Sequence, residues 1–103
     1  MKKASNSPAG NSSEDIRALR RLIADTKGSF FHVHFVSRGR NEPRYMLARL
    51  KRTTAERVAG DLRNHQFTVW DMGKHAYRTI PLERVVVFQC GAERFVTSVG
   101  GAS

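Results

Sequence analysis

Between residues 14 and 25, apolar side chains recur at Ile16, Leu19, Leu22 and Ile23, the three-and-four spacing of one helix face. This spacing predicts a helix over about Glu14–Asp25. Ser12 or Ser13 would cap it, with Glu14 and Asp15 in the first turn, and Lys27-Gly28 would close it. Arg17, Arg20 and Arg21 then share its solvent side. From Ser29 the period drops to two. In FFHVHFV, Phe31, Val33 and Phe35 point one way, while Phe30, His32, His34 and Val36 point the other. Residues 37–43, SRGRNEP, read as a turn, and Tyr45–Leu50 (YMLARL) returns as the second strand of a hairpin.

The next stretch, KRTTAERVAGDLRNHQ, returns to helical spacing. Thr53 with Glu56 forms a capping-box pattern, and Ala55, Val58, Ala59 and Leu62 share one face, which predicts a short inserted helix. Phe67–Met72 is a third strand, Gly73-Lys74 suits a two-residue type II′ turn, and His75–Ile80 is a fourth strand ended by Pro81. PLER fits a single 3₁₀ turn. Val85–Cys90 and Phe95–Val99 then pair through Gly91-Ala92. Many short strands without βαβ spacing indicate a mainly β fold, a small closed or nearly closed barrel with an N-terminal helix.

Charge sharpens this picture. The 103 residues carry 18 Lys+Arg against 9 Asp+Glu, a formal net charge of +9. Residues 1–13, MKKASNSPAGNSS, hold two Lys and no acid, and their composition predicts a disordered tail ahead of a single domain at 14–103. Setting those two Lys aside leaves 16 basic residues against 9 acidic, net +7, so the excess belongs to the folded part. A basic excess of this size suggests a polyanionic partner. The length excludes a two-domain enzyme, and no apolar run approaches the ~20 residues of a membrane span. A signal-peptide stretch is likewise missing, so a cytoplasmic protein is expected. Cys90 is the only cysteine, which excludes an internal disulfide and a cysteine-rich zinc module.

The run FTVWDMGKHAYRTIPLERV, from Phe67 to Val85, resembles the signature half of WYL-type domains, whose core reads approximately WYLhxxD…xYRTFRLDRI on an SH3-like, Sm-like barrel. It resembles more closely a family of small phage, prophage and plasmid proteins in which a strand such as TVFDMQKGGYRSIPLD recurs. The family's WYL triplet falls on Phe67-Thr68-Val69, without its tyrosine. The resemblance implies a barrel protein of a mobile genetic element, with Arg78 and Arg84 at the family's ligand or nucleic-acid site. Lys74-His75-Ala76 followed by Thr79 is similar to the KHA…T strand of Hfq-type Sm proteins. That similarity implies RNA contact through Lys74 and His75, and edge-paired homo-oligomers.

The residues themselves offer further candidates. Arg38, Arg40 and Arg44 lie at the first hairpin, Arg49, Lys51 and Arg52 after it, and Lys74, Arg78 and Arg84 on the signature half. Such groups meet phosphates by charge-assisted hydrogen bonds, although scattered surface charge also serves solubility. Arg84 also suits a structural pairing with Glu83 or Asp71. Of the aromatics, Tyr45, Trp70 and Tyr77 are the amphipathic candidates for stacking on a base; Trp70 is assigned to packing, and Tyr77, beside Arg78 and near Lys74, is the one kept. His32-x-His34 sets two imidazoles on one strand face, where metal binding would need a third ligand from His65, His75 or Cys90. No metal or cofactor is expected. The chain has no GxSxG elbow, phosphate-cradling glycine loop or activated cysteine context, so an enzyme is not expected either.

The leading expectation is therefore non-catalytic binding of RNA or single-stranded DNA. The alternative is a phage- or plasmid-encoded protein that docks on a host protein or nucleoprotein complex. A third reading, a small anionic ligand in the barrel, requires a pocket near Arg78 and Arg84.

Overall fold

The computed structural model describes residues 10–97. In chain order the elements are α1 (Ser13–Ala24), β1 (Phe31–Val36), β2 (Pro43–Arg49), α2 (Ala55–Arg63), β3 (Gln66–Asp71), β4 (Ala76–Pro81), a 3₁₀ turn (Leu82–Arg84), β5 (Val85–Cys90) and β6 (Glu93–Val96). All six strands join one antiparallel sheet in the order β4-β3-β2-β1-β5-β6. The sheet is open, with β4 and β6 as its edges. The mainly β fold with two helices is as expected, while the sheet is not closed into a barrel. α1 packs on the core beside the 3₁₀ turn, with Leu19 and Ile23 fully buried in the core cluster.

Register explains which side chains form that core. Val33 lies opposite Met46 on one side and Phe88 on the other, while Phe31 faces Ala48. Together with Phe35, Val69, Ile80, Leu82 and Val85, they make the inner face apolar. The alternation in β1 follows the sequence pattern, with Phe31, Val33 and Phe35 buried and His32 exposed on the outer face. A register shift at His34/Phe35 inserts an extra residue on β5, and such a bulge increases local twist.

Side chains fix the ends of the elements. The hydroxyl of Ser12 accepts from the Asp15 N–H, and that of Thr54 accepts from Arg57, so α1 and α2 both open on side-chain caps. Residues 1–9 of the expected tail lie outside the described residues, and the described chain is already anchored at Gly10 and Asn11. The Asn11 N–H donates to the Glu83 carbonyl at 2.7 Å, and its amide donates to the carbonyls of Leu82 and Val85 at 2.9 and 2.8 Å. Gly10, at φ +154°, makes this approach possible, because a Cβ there would sit 2.3 Å from the Glu83 oxygen.

Two local expectations change. The connection between β3 and β4 is a four-residue turn, Met72–His75, because Asp71 pairs directly with Ala76. One oxygen of the Asp71 carboxylate accepts from the N–H groups of Gly73 and Lys74 at 2.9 and 3.1 Å. His75 adopts φ +54° and returns its N–H to the Asp71 carbonyl. The competing carboxylate acceptor explains why the type II′ turn does not form.

The second change concerns α2. Its expected inward face, Ala55, Val58, Ala59 and Leu62, is exposed, and its buried residue is Asp61. The Asp61 carboxylate accepts from the N–H and hydroxyl of Thr68 at 2.8 and 3.0 Å, and from the Gln66 amide at 3.1 Å. A fully hydrogen-bonded carboxylate therefore turns the helix and docks it on β3. The last strand begins earlier than expected, at Glu93, while Ser98 and Val99 of the expected strand lie outside the described residues.

Candidate functional site

Two segments, β2 and the β3–β4 hairpin, meet at one end of the inner face. Arg44 enters from the start of β2, opposite Phe35. Arg78 projects from β4, opposite Val69, and Lys74 comes from the Asp71-braced turn. With Arg38, Tyr45, Met46 and Asp71 they line an open cleft of about 280 Å³. Its size lies just below the roughly 300–1,000 Å³ typical of sites that engulf a small ligand.

The cations of the cleft differ in how far they are already engaged. Arg38 reaches Glu83 through Nε and Nη2, each at 2.8 Å, and also donates to the Asn64 carbonyl at 2.7 Å and to Gln66. The hydrogen bond and charge of Glu83 push the Arg38 guanidinium above its ordinary value despite partial burial. For Glu83, burial acts upward, but the bonds from Arg38 and its own backbone, with the charges of Arg38 and Arg84, hold the carboxyl below its usual range. Arg44 has one long contact, 3.4 Å, to the exposed Glu42. Lys74 and Arg78 have no ion-pair partner among the described residues. Arg44, Lys74 and Arg78 are thus the cations of the cleft most able to take an external anion.

The other basic candidates lie elsewhere. Arg84 donates to the Ser37 carbonyl at 3.2 Å and to the side chain of Asn41, and so fastens the first hairpin turn. It does not line the cleft. Arg40 is exposed at the tip of that turn. Arg49 lies 5.7 Å from the Phe30 ring centre, and the Lys51 ammonium lies 3.9 Å over Trp70. The Arg52 carbonyl accepts from the Tyr77 hydroxyl at 2.8 Å, and the Tyr77 ring meets Trp70 edge-on at 5.1 Å. Tyr77 is therefore a packing residue, 43% exposed, and His75 is a turn residue outside the cleft lining.

Tyr45, a candidate set aside in the sequence in favour of Tyr77, has the exposure expected of a stacking residue. It is 74% exposed, with its ring 4.1 Å from that of His34 at a 32° tilt. The signal was available in the alternation. Met46 and Ala48 face the core, so Tyr45 and Leu47 must face out.

His32 and His34 share the outer face as expected, but among the described residues no group of three or more His, Cys, Asp or Glu side chains is arranged to hold a metal. No helix among them is long and apolar enough to cross a membrane. A second depression, also about 280 Å³, lies between α1 and α2, lined mainly by Leu50, Val58, Leu62 and Phe67 with Arg20 and Lys51 at its edge. The Arg20 guanidinium there donates to the carbonyls of Gln66 and Asp61, and burial pushes it below its ordinary value against the opposing charge of Asp61. Compared with known proteins, the chain matches no family model, no curated protein and no solved structure.

Proposed function

We propose that this protein is a non-catalytic nucleic-acid-binding module whose basic cleft holds the phosphate backbone of RNA or single-stranded DNA. The observation that carries the reading is the meeting of Arg44 from β2 with Lys74 and Arg78 from the β3–β4 hairpin around one open cleft. Its openness and small volume suit a polymer passing through better than an enclosed metabolite. Each phosphate neutralised there releases counterions, so affinity falls as salt rises. The resemblance to small WYL-type and Sm-like barrel proteins of mobile elements points the same way. The test is fluorescence anisotropy with labelled 12-nucleotide RNA and DNA strands at ~50 mM salt, where non-specific electrostatic binding is strongest. Binding that is lost in the R44E/K74E/R78E variant supports the reading. No affinity for either strand ends it.

A second reading, docking on a host protein or nucleoprotein, draws on the groove between α1 and α2. Val58 and Leu62 are 50% and 55% exposed there, and basic Arg57 and Arg63 flank them on α2. An acidic partner segment with an apolar face would complement such a surface. In that case the V58D/L62D variant loses the partner and keeps nucleic-acid binding. Homo-oligomerisation through the open edges β4 and β6 belongs to the same reading, and light scattering across ~10 to 100 µM tests it at concentrations where standard interfaces hold.

A further inference from the structure

Tyr45 occupies an unusual position, because it lines the basic cleft and also a second groove of about 200 Å³ on the outer face of the sheet. That groove runs across β2, β1, β5 and β6. Register places Tyr45 opposite His34 and His34 opposite Val87, forming one cross-strand row. The neighbouring row sets His32 opposite Gln89, and Gln89 opposite Arg94. One side of the Tyr45 ring is backed by the His34 imidazole, while most of the residue remains open to solvent. The ring is thus held in place by a cross-strand contact on one side, tilted 32° to the imidazole, while the residue stays 74% exposed, and it adjoins cations able to take phosphates.

We propose that the Tyr45–His34 pair is a nucleobase-stacking site that takes a base splayed out from a strand whose phosphates lie in the cleft. This makes the ligand a single strand, since a base inside a duplex is already stacked and cannot cover the ring. Gln89 and Arg94, both exposed, offer an amide donor and acceptor and a guanidinium beyond the stacked base. The platform is sequence-tolerant, because every base has a π-face. It rests on the phosphate-binding reading of the cleft, and the two are separable by experiment.

Anisotropy titrations of a 12-nucleotide single strand and of the 12-base-pair duplex of the same sequence distinguish them. Tyr45→Ala is expected to weaken single-strand binding by about 5- to 100-fold, the range for loss of one base–aromatic stack. It should leave the weaker duplex binding and the salt dependence unchanged, and Tyr45→Phe should bind like the parent. The exposure of Tyr45 makes a folded variant expected, and a thermal melt matching the parent's checks this. Equal single-strand affinity in Tyr45→Ala, or equal losses for strand and duplex, overturns the stacking site. If charge reversal in the cleft changes nothing while Tyr45→Ala still weakens the single strand, the cleft reading fails and the stacking site stands. Binding of neither probe by the parent protein overturns both.

Discussion

Two depressions of the same volume, about 280 Å³, lie on this protein, and their chemistry is opposite. The cleft at the end of the inner face is edged by arginine and lysine side chains with free donors. The groove between the helices is lined mainly by aliphatic and aromatic carbon. The difference arises from what each needed for folding. At the groove, Asp61 takes the buried position on α2 and turns Val58 and Leu62 outward. At the cleft, the core stops at Phe35, Met46 and Val69, and the next side chains along β2 and β4 are cationic. A net charge of +9 thus says little about which cations are available to an anion, because Arg38, Arg84, Arg20 and Lys51 are engaged within the fold.

The sharpest way to break the comparison is to exchange the roles of the two depressions. Reversing Arg44, Lys74 and Arg78 together should lower nucleic-acid affinity by about 100-fold or more at low salt, on about 1 kcal/mol per charge-assisted contact. The V58D/L62D variant should bind nucleic acid like the parent. An anisotropy series in which the groove variant loses more than the cleft variant would invert the assignment.

Asp61→Ala addresses the groove's support. Its carboxylate accepts three hydrogen bonds while buried, so the substitution should cost about 2 kcal/mol of stability. Urea unfolding would read this as a lower midpoint, and the salt dependence of binding by the folded fraction should not change. A midpoint equal to the parent's would mean that α2 is held by other contacts.

How much of this was legible beforehand depends on the range of the interactions. Strand phase in β1 followed from Phe31, Val33 and Phe35 alone, and α1 from Ile16, Leu19, Leu22 and Ile23, because both patterns are local. The 3₁₀ turn after Pro81 was equally plain. The orientation of α2 was not, since the partner of Asp61 is the Thr68 backbone, a hydrogen bond that leaves no periodic trace in the sequence. Nor could the arginines be sorted. Arg38 and Glu83 are 45 residues apart, and only the folded chain shows that this guanidinium is occupied while Arg78 is not. The strand order was hidden for a related reason, since it depends on β5 returning beside β1, which no turn motif encodes.

Smaller effects refine the contrast between engaged and available cations. Three available cations predict a slope of log K against log salt of about −2 for a single strand, at ~0.7 per phosphate neutralised. Lys74→Ala should flatten it by about 0.7 and weaken binding about fivefold, and a titration from ~50 to 200 mM salt measures both. An unchanged slope would remove Lys74 from the contact set.

The smallest effect lies in the Arg38–Glu83 pair. The Glu83 carboxyl titrates below its ordinary value, so its contribution is complete above that ordinary value, about 4.5, and disappears as pH falls through the lower folded value. With the Arg38 side chain 43% exposed, solvent screening limits the contribution to less than about 1 kcal/mol. Glu83→Gln should therefore lower stability slightly at neutral pH and match the parent at low pH. By releasing Arg38 toward the cleft it should raise affinity by up to about threefold, and a fall in affinity would show that Arg38 must be held in place for binding.

The Asn11 clamp bears on how this chain is made. Its partners are the carbonyls of Leu82, Glu83 and Val85, more than 70 residues further on, so α1 can take its final seat only after the 3₁₀ turn exists. At roughly 5–20 residues per second on a ribosome, that interval is about 4 to 14 s. The β1–β2 and β3–β4 hairpins close over much shorter spans and are expected to form during it. A segment synthesised early thus locks late, and until it does, the apolar side of Leu19 and Ile23 stays open to whatever attends the nascent chain.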